Sequence, residues 1–128
     1  MTTPNPFGKA VSLDEYISRQ RESIERSDLL GLRKLIPALQ EKRQLAQDSA
    51  YPDLVKGVEA LTDLLLSEEV EASKDPLPKH LAEAGVAARY LLKGVDLIPD
   101  SLPKIGLADD AWLVTRVFER NPELRKIQ

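Results

Sequence analysis

Apolar residues recur along most of this chain three and four positions apart, the spacing of one face of an α-helix. Nowhere do they alternate with β-branched residues as a half-buried strand requires. The first periodic stretch follows Ser12-Leu13-Asp14-Glu15, a capping box in which the Ser12 hydroxyl and the Glu15 carboxylate each accept a bond from a free amide. Leu13, Tyr16, Ile17 and Ile24 then leave a narrow apolar stripe, which predicts a helix on the outside of a bundle with one edge inward. Ser27-Asp28 offers the next cap, and Leu32, Leu35, Ile36, Leu39 and Ala46 continue the helical spacing. Pro37 interrupts that run, so the helix should kink near Leu35 rather than divide into two short helices.

Tyr51-Pro52-Asp53 places a proline in a first turn, ahead of Leu54, Val55, Val58, Leu61, Leu64 and Leu65, the strongest core helix in the pattern. From Ser67 to Asp75 the chain turns acidic through Glu68, Glu69 and Glu71, which predicts a solvated or frayed helix end stopped by Pro76 and Pro78. A fourth helix should run from Pro78 to Lys93, with Leu81, Ala84, Gly85, Ala88, Leu91 and Leu92 on one face. Its small residues allow close approach by a neighbour and put it near the middle of the bundle. Gly94 suits the left-handed residue that ends many helices. A fifth helix is predicted from Leu107 to about Arg120, closed by Asn121-Pro122, with Ala111, Trp112, Leu113, Val114, Val117 and Phe118 making a wide apolar face. The pattern therefore predicts an all-α, single-domain bundle of about five helices. A flexible arm at 1–11 leads into N-terminal helices at 12–75 and a helical hairpin region at 76–128, with a Pro/Asp-rich corner between the last two helices.

Composition narrows the chemistry. The absence of cysteine excludes disulfide scaffolds, thiol nucleophiles and thiolate zinc sites, and makes the cytoplasm the simplest location. A net charge of -3 leaves no basic stripe for a phosphate backbone, and residues 51–100 carry ten Asp or Glu against five Lys or Arg, so nucleic acid is not an expected partner. The start MTTPNPFGK has neither a basic region followed by an apolar run nor the composition of a transit peptide. No window reaches the roughly 20 apolar residues of a membrane span. His80 is the sole histidine and sits near a predicted helix start, which reads as a surface position rather than part of a catalytic triad. Ser101 has no flanking glycine and so no nucleophile elbow.

Candidate chemistry concentrates between Gly94 and Trp112, where two prolines, two glycines and four aspartates interrupt the helical pattern. Pro99 and Pro103 bias the residues before them away from the helical region, so Pro99, Pro103 and Gly106 read as a structural corner. Asp96 and Asp100 can satisfy free amides at the turn, and Asp109 and Asp110 fall where a helix N-terminus favours carboxylates. The sharper alternative is a magnesium or calcium ion held by Asp96, Asp100, Asp109 and Asp110, a hard oxygen ligand set. An EF-hand loop begun at Asp96 would put Ile98, Ser101 and Leu107 where a ligand, a glycine and a glutamate belong, so that spacing is not an EF-hand. Caps and turns are the preferred reading, with no cofactor.

The run from Tyr90 to Asp110 resembles the hallmark of the YkvA-like family of small bacterial proteins, a domain of unknown function. The shared pattern is Asp96-Leu97-Ile98-Pro99-Asp100, Leu102-Pro103, Ile105-Gly106 and Asp109-Asp110. The resemblance covers about the last third of the chain and implies a helical hairpin with a fixed proline corner, without implying an accepted activity. It also implies membrane association in relatives that carry a hydrophobic segment after the motif, a segment this chain replaces with one holding Arg116, Glu119 and Arg120. The sequence thus points to a non-enzymatic helical interaction or scaffold module that docks a protein partner or a second copy through Trp112, Phe118 and the corner. A divalent-metal-dependent hydrolase built on the aspartates and a peripheral membrane protein are the alternatives.

Overall fold

The computed structural model describes residues 12–48, 51–97 and 108–127, with the side chains of 93–97, 108, 109 and 125–127 outside that description as well. It is all-α. Ser12 caps the first helix, α1 (Leu13–Arg21), in the expected box: Glu15 N donates to Ser12 Oγ at 3.1 Å while Ser12 N donates to Glu15 Oε1 at 3.5 Å. Leu13 and Ile17 point inward, and Ile24, just beyond the helix, is buried with them.

The next helix, α2 (Arg26–Leu32), starts earlier than the Ser27-Asp28 cap would place it. Glu25 is the N-cap residue, and Asp28 reaches back to accept its amide at 2.8 Å. The chain then tightens into a 3-10 turn at Arg33–Leu35 before α3 (Ile36–Gln47) begins. Pro37 therefore sits in a first turn, where the amide it lacks would have no intrahelical partner. The expected kinked helix is in fact two helices joined by that turn. The strongest predicted core helix is α4 (Asp53–Leu65), with Leu54, Val58, Leu61, Leu64 and Leu65 all buried.

The acidic stretch after it does not fray. Ser67 accepts the Val70 amide at 3.4 Å and starts a single helical turn, α5 (Glu68–Glu71), that plants Val70 wholly in the core. Arg33 ties this turn down from across the bundle, donating Nε to Leu65 O at 2.6 Å and pairing Nη1 with Glu71 at 2.8 Å. The acids face water while one valine holds the turn.

The longest helix, α6 (Lys79–Leu97), continues through Gly94 instead of ending at it. It is followed by α7 (Ala108–Arg120) and a 3-10 turn at Pro122–Ile127. The corner residues Pro99, Asp100, Pro103 and Gly106 lie outside the described residues. α6 packs on α1, α2, α3, α4 and α7, the central place its small residues predict. A Cβ on Gly85 would stand 2.8 Å from Ile24 Cγ2 and 2.9 Å from Leu29 Cδ2, so the glycine is what lets the α1–α2 connection close onto α6. Likewise Gly57 of α4 admits Val114 of α7, whose Cγ1 lies 2.7 Å from where a Cβ would be. Helices from 12–75 and from 76–128 interleave in one core that includes Ile17, Leu39, Leu61, Leu91, Leu113 and Leu124.

The Gly57 contact generates a test. Gly57→Ala gains roughly 1 kcal/mol of helix propensity, but it drives a methyl into the stiff, β-branched Val114, and overpacking costs about 1–3 kcal/mol. A net loss near 1 kcal/mol in urea denaturation is expected, with Gly57→Ala/Val114→Ala recovering part of it.

Candidate functional site

The four aspartates fall on different sides of what is described. Asp100 lies outside the described residues, as do the side chains of Asp96 and Asp109, whose backbones belong to α6 and α7. Asp110 is described, and it is fully buried on the third residue of α7. Its Oδ2 lies 3.1 Å from the ammonium of Lys42 on α3, itself only 3% exposed. Asp110 shares a helical stripe with Val114 and Val117, and Lys42 stands between Leu39 and Ala46 in the same phase. Each charge is thus carried into the core on an otherwise apolar face. Among the described residues no group of three or more His, Asp or Glu could hold a metal ion.

The main concentration of buried charge lies elsewhere, around Glu83. This residue is the only charged one in the run Leu81 to Ala88 and points into the joint between α1, α6 and α7. Arg120, the last residue of α7, grips it in a fork, Nε to Oε1 at 2.9 Å and Nη2 to Oε2 at 2.8 Å. Arg21, the last residue of α1, donates Nη1 to Oε2 at 2.6 Å, and the buried Asn121 donates Nδ2 to Oε1 at 2.8 Å. Both carboxylate oxygens therefore accept two bonds each.

A more exposed shell continues from this centre. Arg120 also reaches Asp14 O at 3.1 Å and Ser18 Oγ at 3.0 Å, while Arg116 clasps the Asp14 carboxylate at 2.8 and 3.1 Å. Lys79 donates to Arg120 O at 2.8 Å and to Asn121 Oδ1 at 3.1 Å, placing a cation on the carbonyl end of α7 where the peptide dipoles favour it.

Burial alone would raise the Glu83 carboxyl, but the bonds from Arg120, Asn121 and Arg21 together outweigh it and hold the group below its ordinary value. The Asp14 carboxyl is also lowered, chiefly by its hydrogen bond from Arg116. Glu83, fully buried with two bonds on each oxygen, has neither a free lone pair nor the access a general base needs, and it serves to hold α1, α6 and α7 together.

Trp112 and Phe118, expected as a docking surface, are each partly buried and pack against the core. His80 lies on α6 with its Nε2 against the Glu69 carboxylate, and its side chain is 16% exposed, more covered than a surface position suggests. The most exposed large apolar side chains among the described residues are Leu35 (47%) and Leu66 (59%). Leu35 lines an open groove of about 430 Å³ between α2, the 3-10 turn and α6, floored by Gly31, Leu32 and Leu92 and rimmed by Ser27, Asp28 and Arg89. Periodicity missed this groove because Leu35 reads as one more core position of a continuous helix.

Against known proteins, residues 80–115 match a family model described as a protein of unknown function (DUF1232). That stretch, 36 of 128 residues, runs from α6 into the first part of α7 and contains the Asp-Pro motif. The match is consistent with the YkvA-like resemblance. No curated protein and no solved structure matches the chain. No helix among the described residues is long and apolar enough to cross a membrane.

Two predictions follow from the buried charges. Glu83→Gln removes the charge that three donors converge on and should cost about 3–5 kcal/mol in chemical denaturation; Lys42→Met, which strips the ammonium from buried Asp110, should cost a similar amount. The second concerns pH. A carboxyl lowered in the folded state contributes stability that is complete above its unfolded value, about 4.3 for glutamate, and that disappears as pH falls through the lower folded value. Wild-type urea midpoints should therefore drop as pH is lowered below about 5, and the drop should be shallower in Glu83→Gln, which has no carboxyl to titrate at that site.

Proposed function

We propose that this chain is a non-enzymatic helical interaction module, and that its docking face is the groove between α2 and α6. One observation carries the reading: Leu35 stands 47% exposed on an apolar floor in a bundle whose buried charges are held in ion pairs. Exposed apolar side chains set in a groove with a polar rim are what a helical ligand would bury. The frame beneath is stiff, because α6 carries both the groove wall and Glu83, so a ligand would meet a preformed surface and lose little free energy to ordering it.

The test uses a synthetic amphipathic helix with leucines at i, i+3, i+4 and i+7, titrated into isotope-labelled protein. Amide shifts should move at Gly31, Leu32, Leu35 and Leu92 and stay put around Val58 and Leu61. Leu35→Glu should abolish the shifts while changing stability by no more than about 0.5 kcal/mol, since the position is half exposed. Shifts absent throughout, or phosphate-ester hydrolysis with magnesium or manganese that Asp109→Asn removes, would overturn the reading.

A further inference from the structure

The groove lies beside the point where residues 1–11, outside the described residues, join α1, and that proximity names its occupant; the inference rests on the groove being a docking face. α1 runs antiparallel to α6: its last residue, Arg21, meets Glu83, and its first turn puts the Tyr16 ring 6.0 Å from that of Tyr90. Ser12, four residues before Tyr16, therefore stands about 6 Å farther toward the end of α6, while Leu92 of the groove lies about 3 Å beyond Tyr90. Sideways the two are linked by Arg89, which lines both the cleft it shares with Tyr16 and the groove it shares with Leu32 and Leu35.

The chemistry of the arm agrees. Asp28 and Arg89 pair with each other at 3.3 Å, so what the groove leaves unmet is the apolar surface of Leu35 and its floor, and it calls for an uncharged ligand. Residues 2–8, Thr-Thr-Pro-Asn-Pro-Phe-Gly, carry no charge and one large apolar side chain, Phe7. Five residues separate Phe7 from Ser12, a reach of up to about 16 Å. Pro4 and Pro6 bias Thr3 and Asn5 toward extended backbone, which lowers the ordering cost of laying chain along a groove. We infer that the N-terminal arm is the groove's own ligand, with Phe7 seated against Leu35 and Leu92. A tethered segment meets its site at an effective concentration of order millimolar, so it covers the groove ahead of a more dilute partner and sets the threshold that such a partner must exceed.

Amide spectra of the full chain decide it. With no peptide present, Phe7→Asp should move the amides of Gly31, Leu32, Leu35 and Leu92 relative to wild type, and Phe7→Leu should move them far less. The synthetic amphipathic helix should then bind Phe7→Asp up to about tenfold more tightly than wild type, because the arm no longer competes. Groove amides indifferent to Phe7→Asp, or a measurable peptide affinity that is the same in the two proteins, overturn the arm. If the peptide binds both alike, the groove remains a docking face and only its internal ligand has failed. If the peptide binds neither while Phe7→Asp still moves the groove amides, the arm holds and the partner reading has failed.

Discussion

The arrangement of helices depends on one buried carboxylate. Moving an ionised glutamate out of water costs several kcal/mol, and that cost is met only if donors surround it with good geometry. Around Glu83 the donors come from the ends of two other helices: Arg21 closes α1, Arg120 closes α7 and Asn121 follows it. Hydrophobic packing between these helices is tolerant of sliding, since apolar contact has no direction. A forked guanidinium on a buried acid is not, because a shift of one turn would strand a charge. The hydrogen bonds thus select one register for α1 and α7 against α6, among the several that the leucines and alanines alone would accept.

Much of this was legible in the sequence, and what was not has identifiable physical reasons. The capping box at Ser12, the core stripe of α4 and the central place of α6 all follow from periodicity and side-chain size, which are local properties. Pro37 is ambiguous in the sequence because a proline within an apolar run looks the same whether it bends one helix or begins the next. Only the preceding 3-10 turn distinguishes the two. The acids after Leu66 are solvated as their composition implies, but the stretch stays helical at Glu68–Glu71 because Val70 is buried in the core. Gly94 has the composition of a helix stop, yet α6 runs on through it.

The charges show the same division. That Glu83 is the lone acid in a run of small apolar residues was visible, and so was the helical phase of Lys42 and Asp110 with their apolar neighbours. Their partners were not, since Arg21 lies 62 positions from Glu83 and nothing in a single sequence pairs them. The apolar surfaces divide in a related way. Trp112 and Phe118 belong to the wide apolar face of the last helix, and that face packs them in part against the core while leaving each partly exposed. Leu35 looks like an ordinary member of a core stripe, and only the 3-10 turn that breaks the stripe turns it outward.

The stretch shared with the family of unknown function ends at Thr115, and within it lie two buried acids, Glu83 and Asp110. The cations that pair with those acids among the described residues lie beyond its borders: Lys42 and Arg21 before it, Arg120 after it. The matched stretch thus conducts constraint to the rest of this chain, obliging its flanks to present positive charge at three defined places. A protein that carried this stretch on a different frame would have to supply ammonium or guanidinium groups of its own there, or replace both acids together.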